Sequence, residues 1–237
     1  MIELVVKKLK DAEKIIFVTG AGISQESGIP TFRGTNGLWK NYDPMRLATI
    51  DAFYDNPKLV WEWYEERRKN ILEAKPNLGH LAIANLEKFK KVIVLTQNID
   101  GLHQKAGSSN VLELHGNIIR IKCTKCEFKK EIKYSFEILP PKCSNCGNLL
   151  RPDVVWFGEP LPQLVWQEAI VQANSCDVMI ITGTSLVVSP ANTLPLYAKQ
   201  NGALLIEVNP DKTIMSNDMD YSLRTTSAKG LPRLLMF

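Results

Sequence analysis

Apolar residues along the chain fall into two recurring patterns. Short, mostly apolar runs at residues 15–18, 92–96, 111–114, 177–182 and 204–208 are bounded by turn formers and read as buried strands. Between them lie stretches with helical spacing, at residues 2–13, 77–87 and 163–174. Asn56 followed by Pro57 marks another helix start, an N-cap with proline in the first turn. That helix should run to about residue 74, carrying Val60, Trp63, Tyr64, Arg67 and Ile71 along one side. A further helix should be opened by Ser189 and Pro190. Residues 20–42 are expected to form a long loop, because Gly28-Ile29-Pro30 breaks any helix that would follow the first strand. Two extended segments, 118–122 and 152–158, flank an irregular polar stretch.

This alternation of strand and helix predicts an α/β fold, a Rossmann-like, doubly wound parallel sheet with helices on both faces. A small lobe should be built from residues 38–75, a helical insertion, and 119–152, a zinc ribbon; residues 1–37, 76–118 and 153–237 should form the main domain. A chain of 237 residues with 45% hydrophobic content can bury a core of that size. No apolar run approaches the ~20 residues of a membrane span. Near the start, Glu3, Lys7, Lys8 and Lys10 interleave with Val5, Val6 and Leu9, which suits an amphipathic helix better than a signal peptide, so a cytoplasmic protein is expected. The net charge of +4 is too small to demand a nucleic-acid partner.

Cysteine spacing adds a metal site. Cys123 with Cys126 and Cys143 with Cys146 form two Cys-x-x-Cys pairs, separated by residues 127–142. Two such knuckles can supply four thiolates to one tetrahedral zinc ion, and with all four positions filled by sulfur the zinc would be structural. The fifth cysteine, Cys176, reads as a small buried hydrophobe.

Candidate chemistry collects where the strands end. The first strand leads into Gly20-Ala21-Gly22-Ile23-Ser24, whose glycines would let backbone N–H groups approach a pyrophosphate. Polar or glycine-containing turns also follow the other strands: residues 97–100, His115, residues 183–185 and Asn209. The first turn is not a dehydrogenase fingerprint, since Gln25 replaces the third glycine and no acidic residue ends a second strand about 20 residues later, which disfavours hydride transfer. Of the three histidines, His80 should pack or cap within its helix and His103 falls in a short helix beginning near Asp100. His115 sits beside Gly116 at a strand end, where an imidazole can project into a crevice and act as a general base.

The strings GAGIS, ESGIPTFRG, TQNIDGLH, LHG, the paired cysteines, RPDVVWFGE, GTSLVVSPA and a late EVN together resemble the sirtuins, NAD-dependent protein lysine deacylases. The resemblance implies that Gly20, Ala21, Gly22 and Ile23 approach the NAD phosphates, and that Phe32 and Arg33 lie over nicotinamide and ribose in a mobile loop. It implies that Gln97, Asn98, Ile99 and Asp100 hold the nicotinamide ribose and carboxamide pocket, with Asn98 and His115 catalytic. Gly183, Thr184, Ser185, Asn209 and Ala228 would line the adenosine side. Val155, Trp156, Phe157, Gly158 and Glu159 would offer a strand edge to an acyl-lysine peptide. The amide oxygen of that lysine would attack C1′ as nicotinamide leaves, and His115 would take a proton from the ribose hydroxyl, giving free lysine, nicotinamide and O-acyl-ADP-ribose.

Tyr64 and Arg67 are three apart on one helix face and match the pair that marks sirtuins acting on succinyl and malonyl groups. Ala48 matches a small residue that leaves room in that pocket, while Ile50 stands where proline is common in related sequences. Transfer of ADP-ribose to a protein side chain is the alternative within enzymes. From another class, a nucleic-acid-binding zinc ribbon would draw on Lys122, Lys125, Lys129, Lys130 and Lys133, although Glu127 and Glu131 interleave with them.

Overall fold

The structure, a computed structural model, describes residues 2–32, 37–38 and 43–235. Six parallel strands form the main sheet: β1 (Lys14–Thr19), β2 (Lys91–Thr96), β3 (Val111–Glu113), β7 (Val178–Thr182), β8 (Leu204–Val208) and β9 (Tyr221–Leu223). Their order is β3-β2-β1-β7-β8-β9, so the chain winds outward from β1 in one direction and then resumes at β7 in the other. This reversal leaves a crevice at the carboxyl ends of β1 and β7, the place where open α/β sheets bind ligands.

The apolar runs alternate between two cores. Ile15, Phe17, Val92, Val94, Val178 and Ile180 face α1 (Ile2–Asp11), α5 (Leu78–Leu86) and α9 (Ser227–Leu234). Ile16, Val18, Ile93, Leu95, Met179 and Ile181 face α7 (Gln163–Ala173) and α8 (Leu194–Gln200). Both sides of the strands are therefore buried, which is why the runs show no polar alternation.

A second sheet, antiparallel and ordered β5-β4-β6, comprises β4 (Gly116–Cys123), β5 (Lys129–Glu131) and β6 (Leu150–Val154). It packs with α2 (Pro44–Leu47), α3 (Ile50–Asp55) and α4 (Pro57–Glu73) around a third core that includes Phe53, Val60, Trp61, Ile121 and Trp156. The start of α4 follows its sequence signal, with the Asn56 side chain accepting from Leu59 N at 3.1 Å. Its burial goes further than one face, however. Trp61 donates from Nε1 to the Leu150 carbonyl, and Arg68, 2% exposed, pairs with Glu65 at 2.6 Å.

Several local expectations are corrected. Within the expected loop 20–42, residues Ala21–Ser27 form a 3-10 helix that ends on Gly28 at φ +85°. Its tight i→i+3 bonding keeps the turn pressed against the sheet where an α-helix would stand away from it. The helix expected to open at Ser189-Pro190 begins instead at Leu194, after a 3-10 turn over Ala191–Thr193. The polar stretch in the small lobe contains β5, too short and charged to show a strand pattern. β9 and α9 close the far edge of the main sheet and have no counterpart in the sequence reading. No helix among the described residues is long and apolar enough to cross a membrane.

Candidate active site

The turns after β1 and β7 interlock. Gly22 N donates to Gly183 O at 2.8 Å, and a Cβ on Gly183, at φ +64°, would stand 2.2 Å from Ile23 N. A Cβ on Gly20 would stand 2.7 Å from Thr184 Cβ. Neither turn can carry a side chain at these positions, and the result is a bare backbone floor of the kind that admits a phosphate chain closely. Thr184 ties the floor to its neighbours. Its hydroxyl accepts from Gln97 Nε2, and its carbonyl accepts from Asn209 Nδ2, each at 3.1 Å.

Above this floor lies a cleft of about 690 Å³. It is lined by Gly20, Ala21, Gly22, Phe32, Gln97, Asn98, Ile99 and His115 on one side of the sheet, and by Gly183, Thr184, Ser185 and Asn209 on the other. Ala48, Tyr64, Arg67 and the segment Val155, Trp156, Phe157, Gly158 and Glu159 complete its wall. Three expected cofactor residues stand back from it. Ile23 is packed into the core, Asp100 turns inward, and Ala228 sits behind Thr226 and Ser227, which do line the cleft. Arg33 lies outside the described residues.

His115 leaves the end of β3 half-buried, its Nδ1 3.0 Å from the Gln97 carbonyl. A carbonyl accepts only, so Nδ1 carries the proton and Nε2 keeps a free lone pair. Burial lowers the pKa of the ring, outweighing the Gln97 hydrogen bond that raises it. The neutral, proton-accepting form is thereby favoured.

Behind the cleft floor runs a buried polar network. The Ser24 hydroxyl donates to Asp100 Oδ2 at 2.7 Å and accepts from Asn98 Nδ2 at 3.2 Å. Asn98 Nδ2 also reaches the Gly20 carbonyl, which fixes its amide at the edge of the cleft. His80 Nδ1 accepts from Asn77 N, closing a capping box at the start of α5. His103 Nε2 lies 3.0 Å from the Thr19 hydroxyl, and the two imidazoles meet edge to face at 4.9 Å. Burial pushes His80 down to about 4 and His103 to about 3. Ser24 belongs to the glycine-turn string, yet its partners lie 56, 74 and 76 residues away and leave no local signal. Val188, Ser189 and Pro190, which belong to the string GTSLVVSPA, also line the cleft without having been given a site role, as do Asp211 and Lys212.

On the opposite wall, α4 presents Tyr64 and Arg67. The Tyr64 hydroxyl accepts from Trp156 Nε1 at 2.9 Å. The Arg67 guanidinium lies 4.8 Å from the Phe32 ring centroid and 4.5 Å from that of Trp63, and makes no ion pair among the described residues. Burial lowers its pKa while Tyr64 and Asp100 raise it. An arginine held against rings, with no ion pair among the described residues, is a ready partner for a carboxylate. The segment after β6 is pinned along one side, with Val155 N donating to the His115 carbonyl and Phe157 N to that of Ala48, each at 2.9 Å.

Cys123, Cys126, Cys143 and Cys146 gather at the tip of the small lobe, their sulfurs all within 4.8 Å of one another. Separations of 3.4, 3.5 and 3.7 Å are far longer than a disulfide and close to the ~3.8 Å edge expected from four Zn–S bonds of ~2.3 Å. The donor set fits a structural zinc ion. Cys176 is buried and elsewhere, donating to the Ala173 carbonyl. Of the lysines near the knuckles, Lys122 and Lys129 both pair with Asp153, and Lys133 with Glu131, so three of the five are engaged within the lobe.

Fold and site together define an α/β protein with a dinucleotide-type cleft between a parallel sheet and a zinc-ribbon lobe. The sequence profile of the Sir2 family matches residues 20–190. A relative from Caldanaerobacter subterraneus subsp. tengcongensis, named NAD-dependent protein deacylase 1, is 54% identical over 214 residues, covering 89% of this chain and 88% of its own. A solved mutant of a Sir2 homologue in complex with 2′-O-acetyl ADP-ribose superposes with a TM-score of 0.95 at 45% identity, covering 99% of this chain and 95% of that one. Another Sir2 structure, holding a deacetylated p53 peptide and 3′-O-acetyl ADP-ribose, gives 0.91 at 38% identity over 99% and 97%. The chain belongs to the Sir2 family, the sirtuins.

Proposed function

We propose that the protein is an NAD-dependent protein-lysine deacylase that removes acetyl groups and also the acidic succinyl and malonyl groups. One juxtaposition carries the reading: in a chain of this family, a side-chain-free glycine floor, an imidazole with a free Nε2 and an arginine held against aromatic rings open onto one cleft. NAD, consumed as co-substrate, supplies nicotinamide as the leaving group at C1′ of its ribose.

The backbone of Gly20, Ala21, Gly22, Gly183, Thr184 and Ser185 receives the pyrophosphate, and Phe32 covers the site and excludes water. Gln97, Asn98 and Ile99 form the pocket next to the reacting ribose, with the Asn98 amide held in place from behind by Ser24 and the Gly20 carbonyl. His115 takes a proton from a ribose hydroxyl at Nε2, while Gln97 keeps the other nitrogen protonated. One water is consumed as the acyl carbon separates from the lysine nitrogen, and the products are the free lysine, nicotinamide and O-acyl-ADP-ribose.

The acyl-lysine of a peptide or protein substrate enters beside residues 155–159, and its acyl end reaches Tyr64 and Arg67, with Ala48 leaving space between them. A carboxylated acyl group gains a charge-assisted hydrogen bond there that an acetyl group cannot make. A cytoplasmic setting suits four thiolates that must stay reduced to hold zinc. The test is to incubate the protein with NAD and acetylated or succinylated peptides and follow the peptide, nicotinamide and acyl-ADP-ribose by mass spectrometry. NAD-dependent loss of both acyl groups is expected. Loss of neither overturns the reading, and radiolabel from NAD retained on protein would favour ADP-ribosyl transfer instead.

A further inference from the structure

Tyr64 is held in place by a chain of contacts that begins outside the pocket. Trp156 is 2% exposed, and its indole N–H donates to the Tyr64 hydroxyl oxygen at 2.9 Å. Among the described residues that hydroxyl donates to nothing, so its own proton is free to turn toward the cleft that Tyr64 lines. Two contacts fix the indole plane. The Arg151 guanidinium lies 3.4 Å from its centroid, and the Phe53 ring 5.2 Å from it. Arg151 is itself immobilised by a fork of hydrogen bonds to both Glu159 oxygens, at 2.6 and 2.8 Å, and by a third to the Val154 carbonyl. Glu159 completes the loop by accepting from the Trp156 backbone N–H at 2.8 Å. Burial works to raise the Glu159 carboxyl, but the Arg151 hydrogen bonds prevail and hold it below the usual carboxylate range, so the fork stays charged.

A phenylalanine at 156 would fill most of the same space. What tryptophan adds is one N–H, and that N–H is spent on Tyr64. An accepted hydrogen bond leaves a phenol one proton to give, and its direction is then set by the donor already in place. We propose that Trp156, clamped by Arg151 and Glu159, is a positioning residue for acyl selectivity: it orients the Tyr64 hydroxyl so that its proton meets the carboxylate of an acidic acyl group. This rests on the reading of Tyr64 and Arg67 as the carboxylate subsite. The selectivity element then extends from α4 into the β6 segment that also meets the substrate backbone.

The experiment compares kcat/KM for succinylated and acetylated forms of one peptide. Trp156→Phe should lower the succinyl-to-acetyl ratio by roughly three- to tenfold, chiefly through KM for the succinyl peptide. In a Tyr64→Phe background the same substitution should leave the ratio where Tyr64→Phe alone puts it, because there is no hydroxyl left to orient. Arg151→Lys, which keeps the charge but loses the fork, should move the ratio in the same direction and serves if Trp156→Phe does not fold. A ratio unchanged by Trp156→Phe, or losses that simply multiply in the double variant, would overturn the inference. A wild-type protein that deacetylates but does not desuccinylate overturns the carboxylate subsite itself, and that result appears before any variant is compared.

Discussion

His115 Nδ1 and the carbonyl oxygen of Gln97 lie 3.0 Å apart, and this one contact settles which imidazole nitrogen is available for chemistry. It ties the end of β3 to the turn after β2, joining the His115 ring directly to the turn that carries Gln97, Asn98 and Ile99. Replacing His115 by alanine should lower kcat by ~10²–10⁴ while NAD still binds, since general-base assistance is lost and the glycine floor is untouched. Tryptophan-fluorescence or calorimetric titration with NAD separates the two effects. If turnover survives the substitution, the proton is leaving by another route.

The same contact makes a statement about pH. Burial lowers the His115 pKa, so the ring stays neutral below the ordinary imidazole value of ~6.5. The acid limb of kcat/KM should therefore fall below pH 6.5 rather than at it. A limb centred above 6.5 would show a ring that is solvated or paired with an acid during turnover.

Arg67 has aromatic rings for neighbours and makes no ion pair among the described residues, and its guanidinium lies 5.7 Å from the Tyr64 ring centroid. One charge-assisted hydrogen bond to a carboxylate is worth ~1.5–3 kcal/mol, or about tenfold to a hundredfold in selectivity. Tyr64→Phe combined with Arg67→Met should weaken desuccinylation by that factor and deacetylation much less. Equal losses on the two peptides would remove the pair from the specificity argument.

Most of the main sheet was legible because its strands are short, apolar and buried on both faces, and because Asn56-Pro57 and the glycine turns are strong punctuation. What stayed hidden depends on distant partners. The 3-10 helix Ala21–Ser27 is tied through Gly22 N to the carbonyl of Gly183, far along the chain, and nothing local announces that contact. β9 is a three-residue strand of intermediate burial, with no periodicity to find. At the site, single-residue motifs such as His115 could be picked out, whereas Ser24 becomes important only through Asp100 and Asn98. The Glu65–Arg68 pair, off the face marked by Val60, Trp63, Tyr64, Arg67 and Ile71, is buried as well.

Glycine at 183 is required by geometry rather than by flexibility. With φ at +64° and a Cβ that would meet Ile23 N at 2.2 Å, Gly183→Ala must push the two turns apart. Strain at such a position costs of order 1–3 kcal/mol before any clash is counted. The variant should melt at a lower temperature and bind NAD more weakly than wild type. Gly202→Ala, also at positive φ but with nothing within 4 Å, supplies the control, since it should lose stability through strain and keep NAD affinity.

The zinc cluster joins β4 to the hairpin that leads into β6, in a lobe whose sheet has only three strands. Structural zinc contributes ~10–16 kcal/mol to folding in small zinc peptides, enough to decide whether such a lobe is ordered. Cys143→Ser or treatment with a strong chelator should release one zinc per chain, lower the melting temperature and abolish turnover, because residues 155–159 hang from the same sheet. Zinc content by atomic absorption, read alongside activity, checks the stoichiometry; activity persisting in zinc-free protein would sever the link between ribbon and site.

His80 and His103 face each other in the core, fully shielded from solvent and held near 4 and 3 against an unfolded value of ~6.5. Both folded values are depressed, so the unfolded chain binds these two protons first as pH falls. The stability they protect is complete above pH 6.5 and drains away as pH falls from about 6.5, down to about 4 for His80 and about 3 for His103, at ~1.4 kcal/mol per pH unit for each ring. Depressed carboxylates such as Glu159 and Glu207 act in a separate window, below ~4.5. Urea melts at pH 7.5, 6.5, 5.5 and 4.5 should therefore show stability flat between the first two and falling steeply across the rest. His103→Gln, which keeps a polar group near Thr19, should roughly halve the slope between pH 6 and 5, even if it lowers stability at neutral pH. An unchanged slope would mean that His103 titrates normally in the fold and is not sealed in the core.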